Sequence, residues 1–109
     1  MTEVPYKEFE KLDMRIGKIV EVEDIEGADK LYKIKVDFGT EERTAVAGLK
    51  KHYLPDDLLD RKFVFILNLE RRKIKGIESE CMIFAADDSD GNIVLLQPEK
   101  DIIEGSKIR

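Results

Sequence analysis

Cysteine, histidine and long apolar runs are nearly missing from this chain of 109 residues. Cys81 is the only cysteine, so no internal disulfide can form, and a lone thiol suits a reducing compartment. No stretch approaches the ~20 apolar residues that a membrane-spanning helix requires. The opening MTEVPYKEFEKL has no apolar h-region, so no signal peptide is expected and the cytoplasm is the expected location. A chain of this length that opens on Met1 is also expected to be free-standing. His52 is the only histidine, and no spacing pairs it with Cys81 or a serine as base and nucleophile. Cys81 has no metal-ligand spacing around it. The acidic run from Asp87 to Gly91 lacks the glutamate that closes a calcium loop, and no glycine-rich phosphate cradle occurs. No enzyme, metal site or cofactor is expected; Cys81 reads as a small buried hydrophobe and His52 as a surface residue.

Charge is abundant, with 39% of residues charged and a formal net charge of −5. That balance argues against broad non-specific nucleic-acid binding, which needs Lys and Arg for phosphates. Its distribution is uneven. Residues 1–30 carry a net −4, residues 31–82 a net +2 and residues 83–109 a net −3. Within the basic middle, four of the five residues from Arg71 to Lys75 are cationic.

The chain has the size of one domain with one modest core. Residues 1–8 read as a tail leading into a short helix in YKEFEKLDM, and residues 9–109 as the folded domain. RIGKIVEVEDI reads as a strand rich in β-branched residues. In LYKIKVDFG, Tyr32, Ile34, Val36 and Phe38 alternate with charged residues, the period-2 pattern of a strand with one buried face. RTAVAGL predicts a third strand. Pro55, Asp56 and Asp57 suit the first turn of a short helix. KFVFILNL is apolar on both faces, as in a central buried strand. ECMIFAADD and NIVLLQP, joined by SDGN, predict a hairpin, and KDIIEGSKIR a turn at Glu104–Gly105 and one last short strand. The layout is all-β with short helices. It suits a five-stranded OB-fold Greek-key barrel with an N-terminal helix and a C-terminal extension; an SH3-like barrel competes but normally lacks the helix between the third and fourth strands.

The basic cluster sits in NLERRKIKGIESECM, residues 68–82, read as a loop between two strands. Arg71, Arg72, Lys73 and Lys75 can pair with phosphates, and arginine also stacks on bases. Asn68 and Ser79 offer short polar groups to sugars or base edges, and Met82 an apolar surface to a base. The alternative reading is that Arg71 to Lys75 form an exposed hairpin that keeps the protein soluble, with Met82 in the core.

FEKLDMRIGKIVEVE, ADKLYKIKVDFG, EERTAVAGL, KFVFILNL and the spacing Asn68–Arg72–Gly76–Ser79–Met82 resemble the structure-non-specific tRNA-binding OB-fold module, over roughly residues 9–109. That module occurs as a free-standing bacterial tRNA-binding protein and as the C-terminal domain or β subunit of methionyl-tRNA synthetases. It is also the tRNA-binding part of the endothelial-monocyte-activating polypeptide. The resemblance implies a non-catalytic module that recognises the tRNA corner by shape and charge, as an accessory to methionyl-tRNA synthetase. Asn68, Arg72, Ser79 and Met82 match family positions for tRNA contact, and Lys30 a basic position on the same face. Charge alone adds Lys33, Arg71, Lys73 and Lys75. The resemblance further implies a homodimer that buries the N-terminal segment and the C-terminal extension, with Ile102, Ile103 and Ile108 as candidates.

Two departures stand out. Cys81 occupies the position where the family motif, Ser-x-Gly-Met, has glycine, and a Cβ there restricts the backbone. Glu70-Arg71 replaces the usual Lys-Pro. A sister family, small export-associated peptide-binding chaperones, shares the barrel and much of the first half. Ala47-Gly48-Leu49 and Met82 set this chain apart from the usual chaperone pattern.

Overall fold

The computed structural model describes all residues 1–109. A single turn of helix, α1 (Tyr6–Glu10), precedes strands β1 (Met14–Ile25), β2 (Ala28–Asp37) and β3 (Glu42–Ala47). A 3-10 turn at Pro55–Asp57 leads into β4 (Lys62–Ile66), β5 (Arg72–Ile74) and β6 (Ile77–Ser79), then β7 (Met82–Ile83), β8 (Ala85–Asp87) and β9 (Ile93–Leu95). The structure is mostly β, and no helix is long and apolar enough to cross a membrane.

Five strands form one antiparallel sheet in the order β3-β2-β1-β4-β7, while β5-β6 and β8-β9 are separate two-stranded ribbons. β1 organises the sheet because its two halves pair with different partners. Met14 to Lys18 pair with β4, and Lys18 to Ile25 with β2. Register shifts after Ile19 and Asp24 bend the strand, as bulges do. Gly17 lies before this bend, opposite Phe63 of β4, and a Cβ there would lie 2.5 Å from Val36 Cγ1 and 2.6 Å from Phe38 Cε1. Glycine is what lets β1 approach these core side chains so closely.

The alternation legible in β2 is realised: Tyr32, Ile34 and Val36 are buried between half-buried neighbours. They join Ile19, Phe38, Phe63, Phe65 and Leu58 in one core. Phe38 meets Phe65 edge to face at 5.5 Å, an arrangement favoured by the ring quadrupoles. The Tyr32 hydroxyl donates to the carbonyl of Tyr53 at 2.7 Å, so its polar end is satisfied inside the sheet.

Several elements are shorter than the sequence predicts. The N-terminal helix ends at Glu10, and the Pro55 segment makes only a 3-10 turn. The strand expected in KFVFILNL stops at Ile66, and ECMIFAADD splits into β7 and β8 around Phe84. The C-terminal segment makes one bridge, Arg15 to Lys107, rather than a strand. It lies along the part of β1 that β2 leaves free, with Ile16 N–H donating to Ser106 O at 2.9 Å and Ile108 N–H to Met14 O at 2.8 Å. Lys62 fastens it through Asp101 at 2.8 Å and Glu104 at 3.4 Å.

Candidate nucleic-acid interface

The basic segment is not a loop but a hairpin. Arg72 pairs with Ser79, Lys73 with Glu78 and Ile74 with Ile77. Only Lys75 and Gly76 remain for the turn, and both have positive φ, 53° and 79°, as a primed two-residue hairpin turn requires. The sequence signal was present in Ile74-Lys75-Gly76-Ile77, a glycine-containing pair between apolar residues. The hairpin of the alternative reading is thus realised, without its buried Met82. Arg72, Lys73 and Lys75 are exposed on this ribbon, and none of them enters an ion pair within the fold.

At the base of the hairpin is a cleft of about 140 Å³. Arg72, Ser79 and Met82 line it together, beside Val46, Leu69, Ile74 and Cys81. Glu70 and Glu80 complete the lining. Met82 is 45% exposed and Leu69 47%, so Met82 belongs to the surface and not to the core. The Ser79 hydroxyl accepts from Val46 N–H at 3.1 Å and donates to the Cys81 carbonyl at 3.3 Å. Its main task is to dock β6 onto the edge of β3, with one lone pair left for a ligand.

Cys81 takes the glycine position of the motif without backbone strain, because its φ is not positive. Its side chain is buried in the core. Burial pushes the thiol up to about 12 from an ordinary 9.0, so it stays protonated and inert at neutral pH.

Asn68 ends β4 by replacing backbone with side chain. Its carbonyl oxygen accepts from Asp13 N–H at 2.8 Å, and its amide donates to Lys11 O at 2.6 Å. Arg71 is held within the fold, pairing with Glu80 at 3.1 Å and more loosely with Glu78 at 3.8 Å. Two residues outside the sequence prediction organise this rim. Glu80 accepts from Thr44 N–H through Oε1 at 2.9 Å and from Arg71 through Oε2 at 3.1 Å. Arg43 donates to the carbonyls of Leu67 at 2.8 Å and Glu80 at 3.1 Å, and pairs with Glu41. An isolated Arg or Glu in a chain so rich in charge carries no local signal of such a role.

Lys33 lies directly opposite Val46 in the β2–β3 register, which puts it on the same sheet face as that cleft residue. Lys30 is exposed near the start of β2 and does not line the cleft. The structure thus gathers Arg72, Ser79 and Met82 at one place, sets Lys33 across from Val46, puts Lys73 on the other face of the hairpin and Lys75 at its turn, and leaves Lys30 further along β2. Asn68 and Arg71 buttress the rim.

Comparison with known proteins bears on this arrangement. A family model described as "Putative tRNA binding domain" matches residues 14–107. The methionine–tRNA ligase of Pyrococcus furiosus is 53% identical over 109 residues, which is 100% of this chain and 15% of the ligase. That of Methanocaldococcus jannaschii is 46% identical, again over 100% of this chain and 17% of the ligase. The chain therefore spans under a fifth of the length of these curated relatives. Among solved structures, a MetRS-related protein from Pyrococcus horikoshii superposes with a TM-score of 0.94 at 35% identity, covering 100% of both chains. A CsaA chaperone protein from Picrophilus torridus superposes with a TM-score of 0.88 at 32% identity, over 98% of this chain and 100% of that one.

Proposed function

The chain belongs to the family of tRNA-binding domains, and on that premise we propose that it is a non-catalytic module that binds tRNA through the β5–β6 hairpin and the cleft at its base. The observation that carries the reading is the convergence of Arg72, Ser79 and Met82 on one cleft, flanked by cations free of internal partners. Arg72, Lys73, Lys75 and Lys33 meet phosphates, with Lys30 extending the track along β2. Met82 supplies apolar contact, while Asn68, Arg71 and Ser79 hold the rim in shape. Recognition is by the shape and charge of the tRNA corner, and the module serves methionyl-tRNA synthetase in the cytoplasm as an accessory or β subunit. Its relatedness to methionine–tRNA ligases supports that partnership.

The sheet is read as an OB-fold barrel closed between β3 and the β6–β7 link. The Glu80 N–H bond to Thr44 O at 2.8 Å supports closure. The module acts as a homodimer. A groove lined by Tyr6, Phe9, Leu12 and Ile108, together with an Ile103 of the C-terminal segment that is 72% exposed, suits a second copy.

Polarisation titration with labelled tRNA tests the function. Binding at low salt that weakens steeply as salt rises is expected. Binding no better than that of an acidic control protein rules the reading out. Likeness to the CsaA chaperone favours a second reading, capture of unfolded peptide. It predicts suppression of client aggregation with indifference to tRNA.

A further inference from the structure

Phosphates and the cleft are poorly matched. Glu70 and Glu80 line it, and a carboxylate repels a phosphate that enters beside it. Glu80 is neutralised by Arg71 and the Thr44 amide, whereas Glu70 enters no ion pair. Of the free cations only Arg72 reaches the cleft lining, and Lys33 stands across from its Val46. The cleft itself is mostly apolar, with Leu69 and Met82 exposed at 47% and 45% amid a charged surface. Its volume of about 140 Å³ is close to the roughly 150 Å³ that accepts a benzene ring in an apolar protein cavity. That is room for one flat, uncharged ring.

Resting on the tRNA reading above, we infer that this cleft takes a single unstacked nucleobase, packed between Leu69 and Met82 against Ile74 and Val46, while the flanking phosphates lie on Arg72 and Lys33. Charge complementarity selects nucleic acid as the occupant. Arg72 at the cleft wall and Lys33 across from Val46 supply the charge for the phosphates that flank one base, and the apolar floor suits the base between them. Unpaired RNA bases are the ones free to be splayed out and packed in this way. Binding then depends on one base as well as on shape.

The test is a scan of tRNA transcripts, each carrying one abasic nucleotide at an unpaired loop position, titrated against the protein and against Met82→Ala. One abasic position is expected to weaken binding by the wild-type protein about tenfold, through lost apolar contact. The same lesion is expected to cost Met82→Ala less than about twofold, because the base has already lost its seat. The slope of affinity against salt should be equal for abasic and intact tRNA, since a base neutralises no phosphate. Leu69→Ser, read the same way, guards against a folding defect peculiar to one variant. If every abasic tRNA binds the wild-type protein within twofold of intact tRNA, the inference is overturned and the tRNA reading stands. If intact tRNA itself fails to bind at low salt, both fall. An unfolded client whose capture is lost in Met82→Ala, with tRNA binding untouched, also overturns it by giving the cleft to peptide.

Discussion

Arg43 Nη1 donates to the carbonyl of Glu80 at 3.1 Å, bridging β3 to the β6–β7 link across an edge where no strand ladder forms. The same nitrogen reaches the carbonyl of Leu67 at 2.8 Å. One guanidinium therefore ties together the end of β4, the edge of β3 and the mount of the basic hairpin. Arg43→Ala strands two carbonyls and is expected to lower stability by about 2 kcal/mol, read from urea denaturation. tRNA binding should weaken as well, and Arg43→Lys should recover part of each, because an ammonium cannot span both carbonyls and Glu41 as the fork does.

Arg72 is expected to act on the ligand alone. It is exposed and outside every ion pair of the fold, so Arg72→Ala should leave the unfolding midpoint within about 0.5 kcal/mol of the parent. Its tRNA binding should fall, and the salt slope should drop by about 1 for each phosphate contact removed. Titrations at three or more salt concentrations read both quantities. Unchanged affinity would count against the hairpin as the binding surface.

Asn68 should separate from Arg72 in this respect. Asn68→Ala deletes an acceptor for Asp13 N–H and a donor to Lys11 O. The expected loss is about 1–2 kcal/mol of stability, with faster hydrogen exchange at the Asp13 amide. Any loss of tRNA affinity in this variant should accompany that loosening.

Gly17 has no room for a side chain. Gly17→Ala places a methyl 2.5 Å from Val36 Cγ1 and 3.0 Å from Phe65 Cδ1, and the overpacking should cost about 1–3 kcal/mol. Thermal melting of the variant beside Gly48→Ala provides the control, since a Cβ at Gly48 meets nothing within 4 Å.

Cys81 gives stability a dependence on alkaline pH. Its folded thiol is pushed up by burial to about 12 from 9.0. The unfolded chain releases this proton first, so the contribution is full below pH 9 and is lost as pH rises from 9 toward 12. The urea midpoint of the parent should fall more steeply over that range than that of Cys81→Ala. A thiol reagent at pH 8 should label Cys81 only after denaturant is added.

Periodicity alone determined the strands with one buried face. Tyr32, Ile34 and Val36 alternate because side chains leave a strand on opposite sides, and that rule needs no knowledge of neighbours. The position of the positive charge and the burial of Cys81 were legible for similarly local reasons. Tertiary structure decided what each charged residue does. Arg71 and Arg72 are adjacent and chemically identical, yet Arg71 is drawn to Glu80, nine residues on, while Arg72 stands at the cleft outside every ion pair. Arg43 and Asn68 became rim fasteners because folding brought them to Glu80 and Asp13, 37 and 55 residues away in the chain. Contacts across such distances follow from the register of whole strands, which no short stretch encodes. The chemistry of the cleft was therefore written in the sequence residue by residue, and only the hydrogen bonds from Val46 and Thr44 of β3 to Ser79 and Glu80 made it a place.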